Sequence, residues 1–349
     1  MDKILKIGMI GCGEISLANL KGIQSADNAK VVMAMDIDRE MAESFADMAG
    51  TKPTIHIEDL MESDEIDAVF INTPHHLHAQ LGIQAATHGK HVIVEKPLAT
   101  TLEDAQKLIR NCRDSHVKLS VPYVYRYKYN AQKAKACIRR GDIGKIIGID
   151  IHWISDKPDS YWEQGFTGRI RTEWRKSKVK SGGGILMMNC IHLFDAIDFI
   201  TGLTPIEYLS QYDTYVTDVE VEDYFCGVIR YDNNAIGSIQ AGSKMIGGRY
   251  PGEQRGIRFI GEYGQILVND PDSFMIYTKK SVSGMNTNEW HIIQPFDKND
   301  KEFEKYYKKD PGTFFIQEFA DAVFADKDPP ITGEMAYRSL ETCIRLYEK

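Results

Sequence analysis

Ile4-Leu5-Lys6-Ile7-Gly8-Met9-Ile10-Gly11-Cys12-Gly13-Glu14-Ile15-Ser16 opens the chain as a short apolar run followed by a glycine turn. Residues 4–10 have the pattern of a buried strand. The turn reads G-x-G-x-x-G with Ser16 in the place of the third glycine. Its first two glycines allow a tight turn and close backbone approach to a pyrophosphate, which then rests on the N-terminus of the following helix. The next apolar strand, Val31 to Met35, ends at Asp36, about where a mononucleotide-binding unit places the carboxylate that takes the ribose hydroxyls. The two signals in register point to a dinucleotide; the bland alternative is an empty glycine turn and a helix-capping aspartate. Gly11, Cys12, Gly13, Glu14 and Ile15 are the candidate cofactor residues at the turn, with Asp36, Ile37 and Arg39 at the second strand's end. Asp36 repels a 2′-phosphate and favours NAD, while Arg39 keeps NADP open.

Outward from that turn, helix and strand patterns alternate. Helices are predicted near 39–49, from Thr73-Pro74-His75-His76-Leu77-His78 to about His88, and over 101–115. Strands are predicted near 54–57, at 68–72, at 91–95 and at 118–123. Strands separated by helices imply a parallel sheet with right-handed crossovers. The strand Val92-Ile93-Val94 ends abruptly in Glu95-Lys96-Pro97, because proline has no N–H to give to a ladder. Lys96 thus stands at a strand's carboxyl end, where open α/β sheets hold ligands. From the strand alone, a satisfied surface cation and a functional lysine are equally good readings.

After a helix near 130–140 the pattern changes to short strands joined by turns such as Asp232-Asn233-Asn234, at 145–155, 206–216, 223–231, 235–243, 257–261 and 273–278. That predicts an antiparallel sheet and a second domain, with a division at 1–125 and 126–349. Helices near 313–325 and 333–347 close the chain. Gly182-Gly183-Gly184 leads into a helix apolar nearly all round, hence buried, with Asn189, His192 and Asp195 spaced by three on one side. That spacing fits a core histidine tied to a carboxylate. It also fits a catalytic histidine whose proton position Asp195 or Asn189 helps to fix.

A hydrophobic fraction of 43% with 26% charged residues supports ordinary cores in a chain of 349 residues. The net charge of −8 argues against nucleic acid or an anionic membrane as the main partner. The six cysteines are dispersed without C-x-x-C, as in a reducing cytoplasm. No signal peptide is read at the N-terminus, and no apolar run is read as long enough to span a bilayer.

Other features carry less. His75, His76 and His78 are weak as a metal set, and no metal is expected. Tyr161, Trp162, Arg169, Arg171, Trp174 and Arg175 in the loop 156–180 suit a sugar face or an anionic substituent, or else staple the loop to itself. Tyr123, Tyr125 and Arg126 either border a cleft or fill a structural role. The run Gly247 to Gly252 has the look of a mobile loop.

Taken together, Gly11-Cys12-Gly13, Asp36, Thr73-Pro74 with His78, Gly89-Lys90-His91, Glu95-Lys96-Pro97, Arg126, Trp174-Arg175, Gly182-Gly183-Gly184, His192-x-x-Asp195 and Pro329-Pro330-Ile331-Thr332-Gly333 resemble the glucose–fructose oxidoreductase / inositol dehydrogenase / rhizopine catabolism (Gfo/Idh/MocA) family. The resemblance is in order along nearly the whole chain. It implies an NAD(P)-binding Rossmann domain, then an α/β domain on an open, mostly antiparallel sheet whose face makes homodimers or homotetramers. It implies hydride transfer between nicotinamide and a hydroxyl-bearing carbon of a sugar, cyclitol or derivative. Lys96 takes the family's lysine position at the reacting oxygen, and His192 the histidine assigned as acid or base. Thr73, Pro74, His78, Glu95 and Lys96 are implied beside the cofactor. Tyr125, Arg126, Trp174, Met188, Asn189 and His192 are implied around the substrate. Alcohol oxidation independently calls for such groups, since a proton must leave oxygen as hydride leaves carbon. One departure is Met188, where many members carry an aspartate four residues before the histidine. A substrate contact is lost there or moved to Asn189. Relatives that cleave glycosidic bonds with a retained NAD, and non-catalytic dinucleotide-sensing regulators, are the competing readings.

Overall fold

A computed structural model of the chain describes residues 3–248, 255–269, 273–280, 287–293 and 304–348. Six parallel strands form the first sheet: β1 (Leu5–Ile10), β2 (Ala29–Met35), β3 (Lys52–Thr54), β4 (Ala68–Ile71), β5 (His91–Val94) and β6 (Leu119–Ser120). Their order, β3-β2-β1-β4-β5-β6, is that of a Rossmann sheet, and its direction of winding reverses between β1 and β4. Strands β4 and β5 are buried almost throughout, as β-branched runs covered on both faces should be. The crossover helices include Glu14–Gln24, Arg39–Ala49, His78–Thr87 and Leu102–Asp114.

Two strands differ from expectation. The strand predicted at 54–57 lies at Lys52–Thr54, because the Thr54 hydroxyl accepts the His56 N–H (3.1 Å) and turns the chain out of the ladder. The strand predicted at 118–123 keeps only two residues. Pro122 offers no N–H, and Tyr123 and Val124 bond back two residues to Val121 and Pro122 in tight turns.

By packing, the chain divides into two units. The first comprises Met1–Val124, Asp159–Gly183 and Asp310–Glu341; the second comprises Tyr125–Pro158, Gly184–Lys309 and Thr342–Lys349. In the first unit the helix Pro311–Phe324 lies against Glu14–Gln24 so closely that a Cβ on Gly22 would stand 3.0 Å from the Gly312 carbonyl carbon. Asn28 ties the same helix down through Gln317 and Asp321 (3.0 and 2.8 Å).

The second unit is built on β7 (Ile146–Ile154), β8 (Pro205–Asp213), β9 (Tyr224–Tyr231), β10 (Ile236–Gly242), β11 (Gly256–Gly261), β12 (Gly264–Asn269), β13 (Ser273–Thr278) and β14 (Trp290–Ile293). They form one sheet in the order β14-β13-β12-β11-β7-β10-β9-β8. Every pair is antiparallel except β7 with β10. Strands β12 and β14 were not foreseen. The register sorts the two faces. Leu209, Val228, Ser238, Asp150, Arg258, Leu267, Met275 and Ile292 stand opposite one another across all eight strands, and all are exposed or half-exposed. The adjacent row, with Ile229, Ile149, Phe259, Ile266 and Ile276, is buried. This sheet is therefore open on one face, and the fold as a whole is α/β.

The apolar run Lys178–Thr201 corrects one expectation. It is 24 residues long with a mean hydropathy of 1.4 in its best window, enough by length and composition to cross a membrane. That window is 78% buried within the protein, as in a core helix. Of the glycine-rich run expected to be mobile, residues 249–252 lie outside the described residues.

Candidate functional site

The carboxyl ends of β1, β2, β4 and β5 assemble the first unit's site. Gly11 has φ +88°, a conformation that L side chains rarely adopt, and a Cβ there would meet the Asn72 carbonyl at 3.0 Å. Its N–H donates to the Met35 carbonyl (2.8 Å), which pins the turn to β2. Asp36 then fastens the turn from the side, accepting the Cys12 N–H on Oδ2 (2.8 Å) and the Asp38 N–H on Oδ1 (3.0 Å). The helix Glu14–Gln24 starts at Gly13 with no side-chain cap on its first N–H groups. Ile15 and Ile37 are both exposed, at 43% and 88%. Arg39 is also exposed and pairs with Glu43 at 3.7 Å one helical turn away. Burial, with Asp36 adding to it, pushes the Cys12 thiol up to about 12, so the thiol stays protonated.

At the next crevice wall, Asn19 joins three elements. Its amide donates to Asn72 Oδ1 (2.7 Å) beyond β4 and to Glu95 Oε1 (2.9 Å) beyond β5. Glu95 also accepts the Lys96 N–H (3.1 Å). Burial raises its pKa against the pull of Lys96. Lys96 itself is half-buried, and its bond to Pro97 is cis. His78 is fully buried, with Nδ1 2.7 Å from the Pro97 carbonyl and Nε2 2.9 Å from that of Thr73. Burial drives its pKa down to about 4 despite those two carbonyls, so the ring is neutral and has one N–H to give: it donates to one of the Thr73 and Pro97 carbonyls and packs beside the other. His75 is buried, with Nδ1 2.7 Å from the Ser181 carbonyl, and burial holds its pKa well below the ordinary histidine range. Its ring centroid is 4.4 Å from that of Trp174, which is thus gathered with the Thr73–His78 corner.

The second unit gathers the rest. The helix that follows Gly184 begins under Glu222, which accepts the N–H groups of Gly184 (2.7 Å) and Leu186 (3.0 Å) and the Tyr347 hydroxyl (2.6 Å). A Cβ on Gly184 would stand 2.0 Å from the Glu222 carbonyl oxygen, which explains a glycine there. Leu186–Cys190 is a π-helical turn, with Ile191 N–H reaching back to the Leu186 carbonyl, before Ile191–Thr201 continues as α-helix.

Asn189, His192 and Asp195 differ in depth along that helix. Each step of three residues lags about 60° behind a full turn, so the drift over two steps turns Asp195 into the core. Asp195 is completely buried and receives Arg126 in a two-pronged pair, Nε to Oδ2 at 2.8 Å and Nη2 to Oδ1 at 2.6 Å. Arg126 is itself buried, and Met188 is 3% exposed. Asn189 and His192 are half-exposed, as is Tyr125. Tyr125 lies nearly parallel to the His192 ring at 5.1 Å. Lys157 Nζ donates to Asn189 Oδ1 (2.8 Å).

Of the residues foreseen around a substrate, the second unit therefore brings Tyr125, Asn189 and His192 together at a half-open face, and it sinks Arg126 and Met188. Asn19, Lys157 and Glu222 were missed. Nothing in residue type distinguishes them; only their partners, 32 or more residues away in the chain, mark them.

Comparison with known proteins identifies the family. A family model described as "Oxidoreductase family, NAD-binding Rossmann fold" matches residues 5–123, and the "GFO/IDH/MocA C-terminal domain" matches residues 131–267. A 1,5-anhydro-D-fructose reductase from Ensifer adhaerens is 28% identical over 66% of this chain and 66% of its own length. A glucose-6-phosphate 3-dehydrogenase from Bacillus subtilis is 30% identical over 56% of this chain and 55% of its own length. The chain thus spans between half and two thirds of these curated relatives. The crystal structure of the WlbA dehydrogenase from Bordetella pertussis, in complex with NADH and UDP-GlcNAcA, aligns with 99% of this chain and 95% of its own at a TM-score of 0.81 and 24% identity, a likeness of fold. With both family domains matched in order on a Rossmann unit and a mixed-sheet unit, the chain belongs to the Gfo/Idh/MocA oxidoreductase family.

Proposed function

We propose that this chain is an NAD-dependent dehydrogenase acting on a hydroxyl-bearing carbon of a sugar, cyclitol or related polyol, with Lys96 and His192 handling the proton. The observation that carries the reading is Lys96 at the carboxyl end of β5, flanked by Glu95 and held in the same sheet as a glycine turn closed on Asp36. The turn fits a dinucleotide: Gly11 leaves no room for a Cβ, and the helix behind Gly13 has uncapped N–H groups. Gly11 to Ile15 would hold the pyrophosphate. Asp36 would take the ribose hydroxyls, with Ile37 and Arg39 at the rim. Thr73, Pro74 and Glu95 would border the nicotinamide, and His78 would position them from beneath.

The nicotinamide, when bound, supplies the hydride acceptor. Lys96 hydrogen-bonds the reacting oxygen and takes its proton. His192, braced by the Tyr125 ring, supplies the second proton-transfer group. Asn189, anchored by Lys157, offers its amide to a substrate hydroxyl where Met188 offers none. The 1,5-anhydro-D-fructose reductase and glucose-6-phosphate 3-dehydrogenase among the relatives support a sugar-type substrate.

The open face of that sheet, with Leu209 74% and Ile292 60% exposed at the two ends of a row whose centre is polar (Ser238, Asp150, Arg258), supports a homodimer or homotetramer through that face. The six free cysteines support a reducing, cytoplasmic setting.

The test is a panel of sugars, sugar acids and inositols incubated with NAD and, separately, NADP, read by the absorbance of reduced nicotinamide. A substrate is expected to reduce NAD, and Lys96→Met to lower that rate on the order of a hundredfold or more. Turnover without nicotinamide reduction would favour a redox-neutral reaction. An unchanged rate in Lys96→Met would sink the assignment.

A further inference from the structure

The segment Asp159–Gly183 packs with the first unit, and its middle is fastened to the glycine turn as a strap. Glu14, the first residue of the helix behind that turn, accepts the Phe166 N–H (3.1 Å) together with the N–H and hydroxyl of Thr167. Burial alone would raise the Glu14 pKa, but the Thr167 hydroxyl and the two N–H groups outweigh it, so the carboxylate stays charged. Ile170 approaches to 3.4 Å of where a Cβ on Gly13 would be.

Two arginines on this strap have donors to spare. Arg169 spans the turn from the Cys12 carbonyl (Nε, 3.4 Å) to the Ser44 hydroxyl (Nη2, 3.4 Å), both at the long end for a hydrogen bond. Among the described residues it has no carboxylate within ion-pair distance. Arg175 lies over the Trp174 and Tyr161 rings at 4.8 and 5.2 Å, and its Nη1 is buried with no hydrogen-bond partner among the described residues. Its nearest carboxylate oxygen, on Glu14, is 4.0 Å from Nη2. A half-buried guanidinium held by weak neutral acceptors is costly unless an anion completes it, and phosphate oxygens suit its planar donors best. Arg39, the cation that the sequence offers for this purpose, is committed to Glu43 on the helix surface.

We propose that Arg169 is a phosphate ligand of the bound dinucleotide, carried over the glycine turn by a strap that Glu14 latches. The inference rests on the dinucleotide reading of the same turn and extends it to a segment whose arginines the sequence alone offers to the substrate. Two phosphates could be its target, the pyrophosphate common to both cofactors or the 2′-phosphate of NADP. Closure of the strap also makes cofactor release wait on breaking the Glu14 contacts.

The experiment is a fluorescence titration of NADH and NADPH into the full-length protein and into Arg169→Ala, with stopped-flow displacement of NADH from Glu14→Gln and Thr167→Val. Melting temperatures confirm that each variant is folded. Loss of one charge-assisted phosphate contact predicts about tenfold weaker binding or more. Equal loss for both cofactors assigns the pyrophosphate; loss for NADPH alone assigns the 2′-phosphate. The latch predicts several-fold faster NADH release from both strap variants. Unchanged affinity for both cofactors in folded Arg169→Ala overturns the ligand role. Unchanged release in both strap variants overturns the latch. Failure of the unaltered protein to bind either cofactor removes the dinucleotide reading itself, and Arg169's role with it.

Discussion

Replacing Arg126 with methionine would leave Asp195 in the core without its guanidinium. The pair is two-pronged at 2.8 and 2.6 Å, Asp195 is completely buried, and the Arg126 side chain is 7% exposed. Breaking such a pair from one side costs about 3–5 kcal/mol, because a charge remains in a medium that solvates it poorly. At about 2–4 °C per kcal/mol, that lowers the melting temperature by roughly 6–20 °C. Removing both charges is a different perturbation. Arg126→Met with Asp195→Leu removes both charges of the pair, and an apolar pair of similar volume is often close to neutral. The double variant should therefore recover most of what either single variant loses, with a coupling of about 2 kcal/mol or more in urea unfolding. Asp195 lies one helical turn beyond His192, and Arg126 follows the tyrosine that stacks on it. The single variants should accordingly lose activity beyond what their unfolded fraction explains. A single variant destabilised by less than about 1 kcal/mol, or a double variant as unstable as the sum of its parts, would refute the account.

Two further outcomes follow from local geometry. An unfolded chain protonates His78 below its ordinary 6.5, whereas the folded chain resists until about 4, so stability is complete above pH 6.5 and falls as pH drops through that window. The difference of about 2.5 units amounts to about 3 kcal/mol by pH 4. In His78→Gln, urea unfolding should show a flatter pH slope, and an unaltered slope would contradict the assignment. Gly184→Ala would drive a methyl group to 2.0 Å from the Glu222 carbonyl oxygen, displacing the start of the His192 helix. Thermal melts should show it far less stable than Gly202→Ala, where nothing lies within 4 Å of the new methyl and only the left-handed conformation (φ +70°) costs, about 1 kcal/mol.

The centre of the first sheet was readable because β1, β2, β4 and β5 are mostly apolar runs that stop at a glycine or a polar side chain, at Gly11, Asp36, Asn72 and Glu95, whereas β3 (Lys-Pro-Thr) and β6 (Leu-Ser) carry no such run. The second sheet was harder. Alternation says which face a residue takes but not which way its neighbour runs, so the parallel pairing of β7 with β10 had no signal. Strand β12, Gly-Gln-Ile-Leu-Val-Asn, begins in turn-like residues and hid inside the hairpin it forms with β11.

At the site, groups whose role follows from backbone shape or strand position were legible, as at Gly11 and Lys96. Groups defined by a distant partner were not. Arg126 reads as a substrate residue until Asp195, 69 positions on, is seen to hold it. Trp174 sits in a loop without periodicity, and nothing in that loop announces His75.

The Rossmann sheet is finished by chain that is made late. By residue 124 a ribosome has delivered all six of its strands, yet three parts of the unit are still missing. The strap that seats on Glu14 comes about forty residues later. Helix Pro311–Phe324, which presses Gly312 onto Gly22, comes only after the whole mixed sheet. So does Ile331, whose carbonyl accepts the Ser120 hydroxyl (2.6 Å) at the edge strand β6. A nascent chain therefore carries an incomplete nucleotide unit through most of its synthesis, with one side of its first helix bare. The excised segment 1–124 would accordingly make a poor stand-in for the nucleotide-binding half of the protein.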